Sequence, residues 1–370
     1  MIRTPAVVFA ATIGALTAQT PTPRTPAARA CTTATSACTE WVVLGGGPAR
    51  SLIYRTHSLD SRNDAIQRAL IMVHGTNRNA DHYFATATAA AFLAGAIDDT
   101  VVISPRIASN SQARGRGTGG CNDVLDVNEV NWSCGGDSWR SGGNSTSNPE
   151  LTSFDFVDQI LRKLANKSVF PNLKAIVVAG HSAGGQFVAR YQMANKVHDT
   201  LGVAISYVVA NPSSYAWPDA TRPLSTDDAA PDAAKGAWNT EEVHTKFSYG
   251  AFDASACANY DKWPFGLENR ASGYTRTMSD EQLKKQLVSR PTTFLFSQVD
   301  VLPLGGFDSS CSAMAQGATR RARGEAYLKY VNEKLGAKHA VQIVSECGHN
   351  DRCVYTTDKV FPAIFPKPKT

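Results

Sequence analysis

Residues 175–185 read Ala-Ile-Val-Val-Ala-Gly-His-Ser-Ala-Gly-Gly, and the reading of this stretch decides the fold. Ala175 to Ala179 is a short continuous apolar run, the pattern of a strand buried on both faces. A helical pattern follows, from Gly185 to Asn195. The two meet in Gly180-His181-Ser182-Ala183-Gly184, which is Gly-x-Ser-x-Gly at a strand-to-helix turn. A serine on so sharp a turn has a strained backbone, and its neighbours must lack bulk. Gly180 and Gly184 give that room, and Ala183 adds little. The Ala183 N–H then lies at a helix start, where amide donors have no partner in a preceding turn.

Outward from this point, short apolar runs alternate with helical patterns. Trp41–Leu44 and Ser51–Tyr54 read as an opening antiparallel pair across Gly45-Gly46-Gly47-Pro48. Ala69–Val73 and Thr100–Ser104 read as strands, with an Ala-rich helix over about 81–95 between them. Phe154, Val157, Ile160, Leu161 and Leu164 have helical spacing. Val203–Val209, Thr292–Phe296 and Val341–Val344 read as later strands, with a helix near 318–335 before the last. Such alternation implies crossover connections, hence an α/β fold with a mostly parallel central sheet flanked by helices. Residues 107–150 are rich in Gly, Ser and Asn and read as a long loop. Residues 212–290 show no strong period and read as a loop or cap insertion over the sheet edge.

Parallel sheets bind ligands beyond the carboxyl ends of their strands. A serine there is a poor nucleophile without a base. Among eight histidines, His349 alone lies in a loop just after a late strand, in Glu346-Cys347-Gly348-His349-Asn350-Asp351. An acid must fix its tautomer and stabilise its cation. Asp300, after strand 292–296 in Ser297-Gln298-Val299-Asp300, is favoured; Asp308 competes. The turn His74-Gly75-Thr76 after strand 69–73 brings backbone N–H groups towards the serine. Thr76 and Ala183 are therefore the candidate oxyanion-hole donors, with Gly75 beside them. Asn211 and Tyr215, after strand 203–209, and His181 and Gly75 are candidate substrate-binding residues.

With Ser182, Asp300 and His349 in that chain order, the sequence resembles a secreted α/β-hydrolase of the esterase/lipase kind over about residues 40–365. The resemblance implies a sheet of about eight strands, no metal or organic cofactor, and cleavage of esters or amides through an acyl-enzyme. His74-Gly75-Thr76 departs from the His-Gly-Gly-Gly run of hormone-sensitive-lipase-type enzymes.

The 370 residues suit one large α/β domain or two average ones, and a single domain is placed at 40–370. Hydrophobic residues make up 43%, which argues against wholesale disorder. A net charge of +5 without clustering gives no support to nucleic-acid binding. Arg3 followed by the apolar Ala6–Ala18 reads as a signal peptide over 1–18, and 19–39 as a Thr/Pro-rich linker. No later run has membrane length, so the mature chain is expected to be soluble; the signal peptide implies that it is secreted, and a monomer is expected. Eight cysteines in an exported chain imply disulfides. Proximity pairs them as Cys31–Cys38, Cys121–Cys134, Cys257–Cys311 and Cys347–Cys353. Asn131, Asn144 and Asn166 begin glycosylation signals.

The substrate is read as a small-molecule or polymeric ester. Trp132, Trp139, Tyr260, Trp263 and Phe265 suit either a flat apolar or sugar-like ligand or the small cores of their own loops. A serine peptidase or amidase of the same fold and a non-catalytic hydrolase-fold binding protein are the competing readings.

Overall fold

A computed structural model describes residues 1–2, 29–110, 121–133, 139–225, 247–255 and 257–367. All but the first two residues of the expected signal peptide, most of the linker and Cys134 lie outside the described residues. Within them the chain builds an eight-stranded sheet and a separate two-stranded ribbon. The sheet strands are β1 (Thr39–Val43), β2 (Arg50–Arg55), β3 (Arg68–Val73), β4 (Thr100–Pro105), β5 (Ala175–His181) and β6 (Ala204–Ala210). The ribbon is β7 (Thr221–Ser225) with β8 (Phe247–Ala251), and β9 (Thr292–Ser297) and β10 (Ala340–Val344) complete the sheet. Their spatial order is β1-β2-β4-β3-β5-β6-β9-β10. Only β1–β2 and β2–β4 are antiparallel; from β4 to β10 the sheet is parallel.

The central strands are apolar on both faces because both faces are covered. Along β3, Ala69, Ile71 and Val73 enter one buried cluster while Leu70 and Met72 enter another. Ile176 and Val178 of β5 divide from Val177 and Ala179 in the same way. The first cluster is closed by α2 (Ser153–Leu164), α3 (Ala183–Ala194) and α6 (Arg320–Leu335). The second is closed by α1 (Ala80–Leu93), α7 (Asp351–Tyr355) and α8 (Phe361–Ile364). Helix α2 starts at a reciprocal capping box between Thr152 and Asp155.

The described part of 212–290 differs from the expectation of a patternless cap on the sheet edge. It contains a helix, α4 (Asp280–Ser289), started by the Ser279 hydroxyl, and the ribbon β7–β8. Only Leu283 and Leu287 of α4 are buried, so its apolar signal is too sparse to read as a period. The segment lies against the α3–α6 layer: Arg290 donates to the Gln192 carbonyl at 2.6 Å, and Trp217 and Tyr249 pack on Tyr330. The short α5 (Cys311–Met314) is tied to it by the Cys257–Cys311 disulfide. Disulfides Cys31–Cys38 and Cys347–Cys353 are also formed. Cys38 is buried and Cys31 N–H bonds the Thr56 carbonyl at 2.8 Å, so this part of the expected linker is seated on the domain.

The register brings the strand ends to one rim. Val73 faces Gly180, His181 faces Ala210, and Val344 faces Ser297. The turns that leave β3, β5, β6, β9 and β10 therefore open on the same side of the sheet.

Candidate active site

Ser182 has φ 58° and ψ −120°, a backbone conformation that side chains other than glycine's rarely adopt. It persists because β5 and α3 grip it on both sides: Ser182 N–H bonds the Ala210 carbonyl at 3.0 Å, and its own carbonyl accepts from Gln186 N–H at 3.0 Å. The glycines are required by approach distance. A Cβ on Gly180 would lie 2.3 Å from the Gly184 carbonyl oxygen, and one on Gly184 would lie 2.2 Å from the Val73 oxygen. Ala183 opens α3, so its N–H points beyond the helix end beside the Ser182 hydroxyl.

His349 is delivered by the loop after β10. That loop is fixed by the Cys347–Cys353 disulfide, by Val299 N–H on the Cys347 carbonyl at 3.0 Å, and by Glu346 N–H on the Gln298 side chain at 3.0 Å. His349 Nε2 lies 2.8 Å from Ser182 Oγ, and Nδ1 lies 2.7 Å from Asp300 Oδ2. A carboxylate only accepts, so Nδ1 carries the proton and Nε2 is left to accept from the serine hydroxyl. Asp300 is 2% exposed. Asp308, the competing acid, instead accepts the Ser310 N–H at 3.0 Å in a surface loop.

Thr76 and Gly75 lie opposite. A Cβ on Gly75 would fall 3.7 Å from Ser182 Cβ and 2.8 Å from Tyr83 Oη, so the turn after β3 closes directly over the serine. His74 anchors that turn. Its Nδ1 donates to the Gly75 carbonyl at 2.9 Å, and its Nε2 accepts the Ile107 N–H at 3.2 Å. Burial, reinforced by the Arg78 charge, pushes its pKa down to about 4, so the ring is neutral.

The remaining candidates are placed differently from one another. His181 is buried behind His349, with ring centroids 4.6 Å apart and Nδ1 3.1 Å from Tyr83 Oη. Burial first, and the neighbouring His349 second, hold its pKa well below the ordinary histidine value. Asn211 joins β6 to β9, donating to Ser297 Oγ at 2.7 Å and accepting Ser297 N–H at 2.9 Å. Tyr215 is wholly buried and stacked on Tyr327 at 4.5 Å, in the core and away from any open cleft. Trp132 and Trp139 are buried too; Trp132 stacks on Phe156 and donates to Ser51 Oγ at 3.2 Å. Trp139 packs near Phe187 and His74, so both rings join the domain's main core and do not form a small core of their own loop.

One site residue escapes a motif search. Arg320, the first residue of α6, donates from Nη1 to Asp300 Oδ1 at 3.2 Å while itself 1% exposed. A cation there opposes the helix dipole. The run Arg320-Arg321-Ala322-Arg323 at a helix start is thus a local anomaly, and that anomaly was the available signal.

Among the described residues, no group of three or more His, Cys, Asp or Glu is placed to hold a metal ion. Nor is any helix among them long and apolar enough to cross a membrane.

Comparison with known proteins adds the following. A family model described as "Alpha/beta hydrolase family" matches residues 70–359. No curated protein sequence matches the chain. Among solved structures, the chain is similar to LpqC, a poly(3-hydroxybutyrate) depolymerase from Bordetella parapertussis, at 17% identity over 87% of this chain and 86% of that one, with a TM-score of 0.53. It is also similar to poly(aspartic acid) hydrolase-1 from Sphingomonas sp. KT-1, at 19% identity over 85% of this chain and 95% of that one, with a TM-score of 0.54.

Proposed function

Because the chain belongs to the alpha/beta hydrolase family, we propose that it is a secreted serine hydrolase that cleaves carboxylic esters through Ser182, His349 and Asp300. The observation that carries this reading is the pair of hydrogen bonds of 2.8 and 2.7 Å that joins the three side chains.

Ser182 Oγ attacks the acyl carbon and its proton passes to His349 Nε2. Asp300 stays ionised and stabilises the imidazolium. The tetrahedral oxyanion lies against the Thr76 and Ala183 N–H groups, each donor of this kind contributing about 10²–10³ in rate. Collapse expels the alcohol, protonated from Nε2. Water then repeats the sequence on the acyl-enzyme and releases the acid and the free serine. Gly75 lines the acyl side. His181 packs behind the base, where a neutral ring adds no competing charge.

Leu302 and Leu304 are exposed on the loop that follows Asp300, which suits an ester with an apolar group beside the cleft. The Cys31–Cys38, Cys257–Cys311 and Cys347–Cys353 disulfides suit an oxidising compartment. We read 40–370 as one monomeric catalytic domain into which 212–290 is inserted.

The test is labelling with a fluorophosphonate probe alongside turnover of short p-nitrophenyl esters and peptides. The expected result is a covalent adduct on Ser182, ester turnover without peptide fragments, and loss of both adduct and turnover in a folded Ser182→Ala variant. Turnover undiminished in that variant overturns the assignment.

A further inference from the structure

We infer that Arg320 is a positioning residue for this reaction: its guanidinium holds the Asp300 carboxylate and the 301–307 rim of the cleft as one piece, so that the carboxylate meets His349 with its second oxygen already engaged. The inference rests on the roles proposed above for Ser182, His349 and Asp300.

Arg320 bonds four acceptors from two stretches of chain, Ser213 and the loop 300–305. Nη1 donates to Asp300 Oδ1 at 3.2 Å, Nε to Ser213 Oγ at 2.8 Å, and Nη2 to the carbonyls of Leu304 and Gly305 at 2.6 and 2.8 Å. The rim so held touches the site on two sides. A Cβ on Gly305 would lie 3.4 Å from His349 Cδ2, and one on Gly306 would lie 3.4 Å from Thr76 Cγ2. Arg323, one turn further along α6, donates to the Ser213 carbonyl at 2.6 Å, and both guanidiniums lie near the Phe307 ring.

Stability alone does not account for this residue. Burying an ion pair seldom improves on a well-packed apolar pair of similar volume, and a cation in the first turn of a helix is unfavourable. What the arrangement does provide is a carboxylate divided between two partners. Oδ2 faces His349 and Oδ1 faces Arg320. The guanidinium stays charged at all working pH values. It adds a fixed positive charge on the far side of the carboxylate from the base. Other titratable groups lie close by: His181 from β5 against the His349 ring, His82 of the His82–Asp351 pair acting on His181, and Arg323 of α6 acting on Arg320, with Asp308 beyond it. Substituting Arg320 leaves these in place.

The experiment measures kcat, KM and the pH profile of kcat/KM on a p-nitrophenyl ester for wild type, Arg320→Met and Arg320→Lys. Folding is checked by circular dichroism, and Ser182 is titrated with the fluorophosphonate. In Arg320→Met the acid limb of the profile should move up by about one pH unit, because a positive charge is lost near the base. In Arg320→Lys the limb should move less, while KM rises more than about threefold, because one ammonium cannot hold the carboxylate and two rim carbonyls together. A folded Arg320→Met with an unmoved limb overturns the inference. If that variant does not fold, Arg320→Lys decides: kcat and KM within about twofold of wild type overturn it. A wild-type protein that neither reacts with the probe nor turns over ester removes the underlying reading instead.

Discussion

The serine and the acid reach the same rim by opposite means. Around Ser182, backbone packs on backbone: Gly180 approaches Gly184 and Gly184 approaches Val73 so closely that no side chain fits between. Around Asp300, side chains do the holding: His349 and Arg320 reach it by hydrogen bonds from separate stretches of the chain, and Ser213 accepts from Arg320 behind it. The first corner is sensitive to volume and indifferent to charge, and the second is the reverse. A steric requirement is written into a sequence as spacing, whereas an electrostatic one leaves only residue types with no fixed interval between them.

Substitutions that keep shape or keep charge separate the two corners. The largest effect should come from Asp300→Asn, which preserves volume and removes the charge. We expect kcat to fall about 10³–10⁴-fold, together with a loss of stability because the buried Arg320 loses its counter-charge, so folding is checked by circular dichroism. A loss under about tenfold would mean that the acid corner works by shape after all.

The mirror experiment is Gly184→Ala, one methyl group and no charge. Its Cβ meets the Val73 carbonyl at 2.2 Å, a backbone atom that cannot rotate away. Stability should drop by about 3 kcal/mol or more in urea unfolding. A variant as stable as wild type would break the steric half of the comparison.

Beside His181, the serine's corner carries a second buried histidine, His74. Its folded pKa is pushed down to about 4 from an ordinary 6.5. Between those values the unfolded chain binds a proton that the folded chain refuses. Stability is therefore lost as pH falls from about 6.5 towards 4, by up to about 3 kcal/mol. His74→Gln should flatten that slope in unfolding curves collected across the range, and an unchanged slope would assign the acid sensitivity elsewhere.

The smallest effect is expected from opening the Cys347–Cys353 disulfide with serines. The closed loop is short, so stability should fall by about 2 kcal/mol. Because His349 sits inside the loop, kcat should fall more than KM rises; equal changes would show that the bridge only stabilises the fold.

The same contrast explains how much the residues alone disclosed. The parallel sheet was legible because each central strand is an apolar run of five to seven residues between helical periods, and the bounds of β3, β5 and β9 fall within two residues of those read from the sequence. Ser182 was legible from its glycines. His349 and Asp300 were read as residues that follow late strands, a weaker argument, and the sequence does not show that it is Asp300 that lies against His349 while Asp308 accepts from Ser310. Arg320 was missed because nothing in its neighbourhood along the chain refers to residue 300. Helix α4 was missed because two buried leucines one turn apart do not make a period. Asn211 and Tyr215 followed the right strand, but their side chains turn inward to β9 and α6, a choice that depends on partners distant in sequence.

The left-handed backbone at Ser182 also bears on how this protein responds to selection for heat tolerance. Glycine would take up that conformation without penalty, whereas serine pays about 1–3 kcal/mol to hold it. A library ranked by thermal survival alone would therefore tend to enrich chains in which this position has gone silent. Rigidity and turnover compete here within a single residue, and any stabilised variant has to be scored on both.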